Sequence, residues 1–473
     1  MTPIFSTLNT DTIEDILYRA KDLLENVGIE VEDREVTELL GEHGAHIDKE
    51  KERVFLGADL VDRALESAPG EVRLYDRDLN EVAALGGKHS YFVPGSSALN
   101  IFDPEEMKPR GAIREDLDRL ALLTEHISTY SIQSTAIVPN DVPQEVADRV
   151  RLFHALRGSK KPVVTGTFQD DGFEPMVRML EAVRGSSEAL REHPLAVFDC
   201  CPTPPLKWPH LTSRVIMKGA KLGIPAEIVP VPLSGATGPV TLHGALVQIA
   251  AENLSGIVIS QCAGPGAPVI WGGCPMSFDM KFGTTPTGAP ETMLLNAASA
   301  EIAKHLELPR HGYLALSDAK LPDMQAGFES AMGALTAVLS GMNVVSGAGM
   351  MSFIGCQSLE KLLFDAEICK TALRYGRGID LHEDTNLTEL FLEALGGKGF
   401  LSHKHTRKNY RKELFMPSEL IDRSGVMSTA SDAFSRCHAE VEKLLASPPC
   451  EPLPEEVEKE LNAINDAELK KHL

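Results

Sequence analysis

Residues 1–90 carry apolar side chains at helical spacing, broken by glycine and proline. An amphipathic helix is predicted to begin near Asp11. Further helices are predicted near Glu35–His43 and Ala58–Ala68, followed by a short strand pair over Leu74–Leu85. Residues 1–90 are therefore expected to form an α-rich N-terminal cap.

From residue 91 the pattern changes to short apolar or β-branched runs, each followed by helical spacing. The runs are Tyr91–Asn100, Ser131–Val138, Pro162–Thr167, Leu195–Asp199, Ala226–Val231, Pro268–Trp271, Arg310–Leu314 and Asn343–Ser346. The helical stretches are Ile113–His126, Pro143–Arg157, Gly172–Val183, Leu211–Lys221, Leu242–Ser260, Pro290–Leu306, Asp323–Ser340 and Leu359–Tyr375. Such alternation predicts an α/β fold with a parallel sheet, and eight units favour a closed (β/α)8 TIM barrel over residues 91–380. An open doubly wound sheet is the alternative.

The pattern becomes irregular after about residue 380, and residues 381–473 are expected to form a C-terminal extension. This extension holds one basic run that begins at His403-Lys-His405. Two histidines at this spacing lie on one face of a strand, but the surrounding Arg and Lys favour a solvated basic segment. An acidic helix is predicted after Pro452.

Composition and charge narrow the class of protein. Hydrophobic residues make up 43% and charged residues 24% of the 473 positions, as in ordinary globular proteins. The net charge of −22 makes nucleic acid a poor partner. We find no uncharged apolar run of about 18 residues and no signal peptide, so we expect a cytoplasmic protein with reduced thiols and no membrane partner.

Glycine- and proline-rich segments fall mostly at the ends of the predicted strands. In a (β/α)8 barrel the site lies at the carboxyl ends of the strands, so these segments predict a pocket for a small molecule. Trp271 lies at such an end, where it either walls the pocket or packs in the core. No dinucleotide-binding or P-loop glycine motif is present, and Gly283–Gly288 is only a weak anion-binding signal.

Cysteines at strand or helix ends raise the possibility of a zinc site. Cys200, Cys201, Cys262 and Cys274 lie at such ends. However, the sequence has no CxxC pair, and two adjacent cysteines cannot easily direct both sulfur atoms at one ion. We therefore predict no metal site and interpret these thiols as small apolar residues.

Several segments resemble the trimethylamine methyltransferase superfamily, specifically members that lack pyrrolysine. The matching segments are Ser234–Leu246, Gly288–Ala298, Ser317–Glu329, Ser346–Met350 and His403–Arg411, within a resemblance that spans residues 11–423. The resemblance implies a TIM barrel and a corrinoid-dependent methyltransferase. In this family the members that act on trimethylamine carry pyrrolysine, whereas this chain has only ordinary residues, including Lys320. The resemblance therefore points away from trimethylamine and toward quaternary amines such as glycine betaine, whose demethylation gives dimethylglycine.

An enzyme of this kind needs few catalytic groups from the protein. A quaternary amine already carries its charge and leaves as a neutral tertiary amine, so no catalytic acid, base or metal is assigned; the protein holds the N–CH3 bond in line with cobalt. Aromatic faces and carboxylates would hold the cation. A substrate carboxylate would be received by His311, Arg310 or loop N–H groups. The expected substrate-binding residues are Trp271, Tyr313, Phe198, Phe353, Asp199, Asp279, His311, Asp318 and Gln325.

No DxHxxG run is present, so the corrinoid (cobalamin) must arrive on a separate corrinoid protein or as free cofactor, and we expect the partner protein. That corrinoid protein should dock over the carboxyl ends of the strands. The residues expected to face the corrinoid are Ser234, Gly235, Thr237, Gly283, Gly327 and Gly347. We also expect a homo-oligomer. Two other functions stay open: a zinc-thiolate methyltransferase, and a non-catalytic protein that binds betaine or corrinoid.

Overall fold

The computed structural model describes residues 5–381 and 385–471. The N-terminal segment contains α1 (Thr10–Asn26), β1 (Glu30–Val31), α2 (Arg34–Glu42), β2 (His46–Asp48), β3 (Arg53–Phe55), α3 (Ala58–Ser67), β4 (Val72–Tyr75) and β5 (Glu81–Leu85). The three predicted helices and the predicted strand pair are therefore confirmed. Asn9 and Asp33 accept backbone N–H groups at the starts of α1 and α2, as N-cap residues do.

The central segment alternates strands and helices as predicted. Its elements are β6 (Tyr91–Pro94), β7 (Asn100–Asp103), β8 (Lys108–Gly111), α4 (Arg114–His126), β9 (Gln133–Ser134), α5 (Ala147–Gly158), β10 (Val163–Thr165), α6 (Phe173–Arg184), α7 (Ser187–Glu192), β11 (Ala196–Cys200), β12 (Lys207–Trp208), α8 (His210–Leu222), β13 (Ala226–Ile228), β14 (Leu233–Ser234), α9 (Leu242–Ala263), β15 (Val269–Trp271), β16 (Met276–Ser277), α10 (Pro290–His305), β17 (His311–Tyr313), α11 (Met324–Ser340), β18 (Val344–Ala348), β19 (Met350–Met351), β20 (Cys356–Gln357) and α12 (Leu359–Arg377). Each of the eight predicted runs contains a parallel strand.

These strands pair in two parallel sheets whose order follows the chain. One sheet has the order β9-β10-β11-β13-β15, and the other has the order β17-β18-β6. A single parallel bridge, Trp271 with Arg310, joins β15 to the start of β17, and another, Ala98 with Ile137, follows β6 and β9. The α/β prediction is confirmed, whereas continuous pairing around a closed barrel is not found within the described residues.

An apolar plug fills the amino-terminal end of these strands. The hairpin β4–β5 contributes four of its side chains, and six strand or strand-start residues meet them: Val93, Ile132, Val164, Val197, Ile270 and Val344. Because side chains alternate along a strand, the neighbours of these six residues face outward, toward the helices. On these strands, a residue therefore faces inward only when it is an even number of positions away from one of these six.

Helix α9 is the most enclosed helix. It is long and apolar enough to cross a membrane, yet 83% of its most apolar window is buried inside the protein. Helices α1, α3, α8 and α10 pack against it. Its composition therefore reflects a position between the N-terminal segment and the strands, and the N-terminal segment shares one core with the strands.

The C-terminal segment contains α13 (Leu387–Glu393), α14 (Lys404–Glu413), α15 (Ala433–Leu445) and α16 (Glu455–Lys470), with a π-helical turn at Ala394–Lys398. Helix α15 packs on α4 and α12, and α16 packs on α5 and α6. The basic run lies in helix α14, so its two histidines do not share a strand face. His403 caps this helix and contacts Glu393 at 2.9 Å.

Candidate functional site

Two carboxyl side chains point inward just above the apolar plug. Asp199 on β11 pairs in register with Glu227 on β13, which pairs with Ile270 on β15. Since Ile270 belongs to the plug, Asp199 and Glu227 share its inward face. Parallel strands covered by helices are normally apolar on both faces, so these charges depart from what the fold requires.

Strand β17 adds an imidazole and a phenol to the same face. His311 Nδ1 lies 2.5 Å from Glu227 Oε1, and both side chains are fully buried. The Tyr313 ring meets the His311 ring edge-on, with centroids 5.0 Å apart. A Cβ at Gly272 would lie 3.1 Å from His311 Nδ1 and 3.2 Å from Glu227 Cγ, so glycine leaves the space that this pair occupies.

Helix α5 supplies a buried guanidinium beside the carboxyls. Arg151 is completely buried and donates from Nε and Nη2 to the carbonyl of Thr135, and from Nη2 to Ser97 Oγ at 3.1 Å. Its guanidinium lies 4.7 Å from the centroid of the Phe168 ring. We call Arg151, Asp199, Glu227, His311 and Tyr313 the strand-end cluster.

The polar atoms of this cluster are incompletely paired. Asp199 Oδ1, both Glu227 carboxylate oxygens, both His311 ring nitrogens and Arg151 Nη1 are buried without a well-directed hydrogen bond. The close contact of Glu227 with His311 is poorly directed for one. Buried polar groups in folded proteins nearly always have a hydrogen-bond partner. A group of unpaired atoms of this size therefore indicates a place for water or a ligand.

The cluster is also reachable. Asp199 and Tyr313 keep partial exposure although they face inward, and so does Gly166 after β10. A Cβ at Gly166 would make only ordinary contact with Asp199, at 3.6 Å. The strand-end cluster is therefore not completely sealed from solvent.

Burial and mutual repulsion set the charge of the cluster. The pKa of Asp199 is raised well above its ordinary value by burial and by the nearby Glu227 carboxylate, against the lowering influence of Arg151 and Tyr313. Burial lowers the pKa of Arg151 to about 10, so this side chain stays charged at neutral pH. Burial and Asp199 raise the pKa of Tyr313 well above its usual value.

Small apolar side chains form a wall next to Tyr313. Val229, Cys274 and Met276 form a buried group against which Cys201, Leu233 and Tyr313 pack. Burial raises the pKa of the Cys274 thiol to about 12 and raises that of Cys201 further, so both stay neutral and act as apolar groups. In the described parts of the chain, no three His, Cys, Asp or Glu side chains form a group that could hold a metal ion.

The structure corrects two predicted aromatic residues. Trp271 is fully buried on the helix-facing side of β15, where its Nε1–H donates to Ser299 Oγ of α10 at 3.0 Å. Phe198 also faces outward and packs edge-on against Phe173 of α6, with centroids 5.1 Å apart. Both therefore pack in the core, and neither faces the strand-end cluster.

Other predicted substrate-binding residues lie in the loops around the cluster. Asp318 accepts hydrogen bonds from Thr287 and Gly288, and so ties together the loops that follow β15 and β17. Gln325 is exposed and donates to Glu329 at 2.9 Å. Asp279 accepts two N–H groups of its own loop. These contacts hold loops in place, and none of the three residues joins the cluster.

Two further predicted residues lie elsewhere. Arg310 donates to the carbonyls of Leu308, Gly341 and Gly87, which gives it a structural role away from the cluster. Phe353 lies in the turn between β19 and β20, and three consecutive residues from Ser352 to Ile354 have positive φ, at 53°, 56° and 60°. Residues other than glycine rarely adopt this backbone conformation.

The glycines expected to face a corrinoid differ from one another. Gly235 has φ +96°, and a Cβ there would lie 3.0 Å from Met280 Cε and 3.5 Å from Val240 Cγ2; Gly283 and Gly327 have open space where a Cβ would stand. Gly347 is buried in β18, where a Cβ would collide with the Leu314 carbonyl at 2.3 Å, so it faces no partner. Ser234 is buried with an unpaired hydroxyl, and Thr237 bonds the backbone of its own turn.

Sequence reasoning missed Glu227 and Arg151. Glu227 is the one charged residue in the run Ala226–Val231, and that exception was a usable signal. Arg151 lies on a helix that is buried nearly all round, with several charged residues among its buried positions. Such a helix has no polar face that would explain its charges, which is the signal that could have found Arg151.

The chain matches a known protein family over nearly its whole length. The sequence model of the family described as trimethylamine methyltransferase (MTTB) matches residues 1–469. The trimethylamine methyltransferase MttB of Desulfitobacterium hafniense is 31% identical over 94% of this chain and 90% of its own length. A glycine betaine methyltransferase from another strain of that species is 30% identical, over 94% of this chain and 93% of its own.

Archaeal relatives and a solved structure extend the match. The trimethylamine methyltransferase MttB of Methanosarcina barkeri is 30% identical over 97% of this chain and 94% of its own. The crystal structure of the monomethylamine methyltransferase MtmB from M. barkeri has a TM-score of 0.50 at 13% identity, covers 99% of this chain and 88% of that one, and so shares the fold. The chain is a methyltransferase that belongs to the trimethylamine methyltransferase (MTTB) family.

Proposed function

We propose that this protein transfers a methyl group from a quaternary amine, with glycine betaine as the best candidate, to a corrinoid held by a partner protein. One observation carries the proposal: two inward-facing carboxyls with unsatisfied oxygens beside an apolar wall and one tyrosine. A quaternary ammonium needs a negative counter-charge but donates no hydrogen bond. The cluster supplies carboxyls for the counter-charge and apolar side chains for the methyl groups.

The residues of the cluster would act by binding and orientation. The methyl groups would pack against Tyr313, Cys274 and Met276, which exclude water from the N–CH3 bond. Asp199 would lose its proton as the cation enters, because an adjacent positive charge lowers the pKa of a carboxyl. Departure of the neutral tertiary amine would reverse this change, and no residue has to protonate the leaving nitrogen.

The rim above the cluster fits a large ring. Val240, Met280 and Phe282 are 65%, 68% and 70% exposed; Gly235 precedes Val240 along the chain, and Gly283 directly follows Phe282. When bound, the Co(I) corrinoid supplies the nucleophile that accepts the methyl group. These exposed residues would cover the corrin face and shield the strand-end cluster from water.

The proposal includes the architecture that such a site requires. We propose that the eight parallel strands close as a (β/α)8 barrel, with residues 1–90 as a cap and residues 381–473 as an extension. The chain-order neighbours and the two single bridges support this closure. The strand-end cluster would then lie where active sites of such barrels lie.

The experiment is incubation of the protein with Co(I) cobalamin and a panel of quaternary amines, with the cobalt absorption spectrum and tertiary amine product as readouts. We expect demethylation of at least one quaternary amine and no reaction with trimethylamine. Asp199→Asn should abolish most of the reaction. Glu252→Gln is the matched control, since Glu252 is a buried carboxyl of raised pKa outside the cluster. Ligand binding without demethylation would refute catalysis.

A further inference from the structure

Arg151 is a buried member of the strand-end cluster, but it has no role in the methyl transfer described so far. We propose that Arg151 receives a carboxylate of the substrate, so that the site selects zwitterionic quaternary amines over cations that lack a carboxylate. This inference rests on the proposed function, and it names the substrate class of the same site.

Arg151 carries a charge without a close counter-charge. Asp148 and Asp199 interact with it electrostatically, but across residues 5–381 and 385–471 no carboxylate oxygen forms an ion pair with its guanidinium within 4.0 Å. Two of its nitrogens donate to the Thr135 carbonyl and to Ser97, and Nη1 donates to nothing. A buried charge with an unused donor is costly unless an anion completes the site.

The nearest carboxyl on the same helix is already engaged. Asp148 accepts the N–H of Phe168 at 2.8 Å and that of Arg149 at 2.8 Å. It fixes the loop that carries Phe168, whose ring supports the Arg151 guanidinium. Asp148 therefore helps to hold Arg151 in position and leaves Nη1 free.

The carboxyls of the cluster lie on strands, whereas Arg151 comes from helix α5. Asp199 interacts electrostatically with Arg151, and Glu227 lies next to Asp199 in register. The site therefore has carboxyls at its β11–β13 end, which a bound cation would ionise, and a guanidinium at its α5 end. A zwitterion whose ammonium and carboxylate are a few bonds apart matches both ends, whereas a simple cation leaves Arg151 unpaired.

The other candidates for this role are less suitable. His311 lies 2.5 Å from Glu227, so an anion there would meet a second carboxyl, and all three donor nitrogens of Arg310 are bonded to backbone carbonyls. A planar guanidinium with a free donor is also the group best suited to a carboxylate. Arg151 is thus the residue of the site best able to receive an anion.

The test is calorimetric titration of the full-length protein with glycine betaine and with choline, which has the same trimethylammonium group but no carboxylate. We expect betaine to bind the wild type about 10- to 100-fold more tightly than choline, in line with a charge-assisted hydrogen bond. Arg151→Gln should weaken betaine by a similar factor and change choline by less than about threefold. Arg151→Lys should recover part of the loss.

Arg184→Gln is the matched control, because Arg184 is a buried arginine that bonds the carbonyls of Tyr75 and Asp76 far from the site. It should leave the betaine-to-choline ratio unchanged. Where Arg151→Gln does not fold, wild-type titration with the methyl ester of betaine replaces it, and the ester should bind as weakly as choline.

The outcomes separate this inference from the proposed function. Equal wild-type affinity for betaine and choline, equal losses for both in Arg151→Gln, or no binding of either would overturn the role of Arg151. Selective, Arg151-dependent binding of betaine without transfer of its methyl group would support this inference and refute only the proposed methyl transfer.

Discussion

Two sets of acidic residues lie near the carboxyl ends of the strands, and they differ in how their oxygens are used. Asp318 accepts three hydrogen bonds from Thr287 and Gly288, at 2.5 to 2.9 Å, and joins two loops. Asp199 and Glu227 leave three oxygens without a well-directed donor. The first pattern is that of a structural carboxylate, and the second is that of a carboxylate waiting for a ligand.

The largest expected effect separates function from stability at Asp199. Asp199→Asn should lower kcat/KM for methyl transfer about 30- to 1,000-fold, because a desolvated cation would lose one counter-charge. The free energy of unfolding should change by less than about 1 kcal/mol, because no hydrogen bond to Oδ1 is lost. Steady-state kinetics and calorimetric unfolding measure the two quantities. A large loss of stability with normal activity would reverse the assignment.

Asp318→Ala should show the opposite balance. Three donors of Thr287 and Gly288 lose their acceptor, which should cost about 2–4 kcal/mol of unfolding free energy. The activity of the remaining folded protein should fall far less than in Asp199→Asn. Denaturant unfolding monitored alongside the methyl-transfer assay compares them directly. If Asp318→Ala stays stable and inactive, then Asp318 belongs to the binding site after all.

Trp271→Phe tests the correction made to the predicted aromatic cage. The change removes the hydrogen bond to Ser299 and part of a buried ring, and should cost about 1–2 kcal/mol of stability. Affinity for glycine betaine should stay within about twofold of the wild type. A cage wall would instead lose about 2- to 30-fold in affinity. Binding calorimetry distinguishes these results.

The smallest expected effect is the release of a proton from Asp199 when betaine binds. In the free protein the pKa of Asp199 is raised, so this carboxyl retains a proton at pH values where an unfolded one is ionised. Stability from this group is therefore lost as pH rises through the folded pKa, and affinity for a cation increases over the same range. Betaine binding should release up to one proton below that pKa. Titration in buffers of different ionisation enthalpy measures the release, which Asp199→Asn should abolish.

Hydrophobic periodicity was sufficient to predict the strand–helix order. Each predicted run contains a strand, and helices such as α4 and α12 begin within one residue of the expected position. Periodicity could not decide which face of a strand points inward, because strands covered on both faces are apolar on both. For this reason the sequence pattern alone does not show that Trp271 and Phe198 face the helices.

The candidate site was only partly predictable. Asp199 lies near the end of β11, and His311 and Tyr313 are the first and last residues of β17; the structure brings these three together. Arg151 comes from a helix, and its approach to Asp199 depends on how α5 packs on β10. The short strand pair β14–β16 and the strained turn at Ser352–Ile354 are also set by contacts between distant loops. Such contacts leave no periodic trace in the sequence.

A crystal structure of the protein soaked with glycine betaine tests the central claim most directly. The account predicts the trimethylammonium group against Tyr313, with Asp199 and Glu227 on one side and the betaine carboxylate on Arg151. Binding in the apolar cavity of about 380 Å³ between α11, α12 and α15, with the strand-end cluster holding only water, would contradict it.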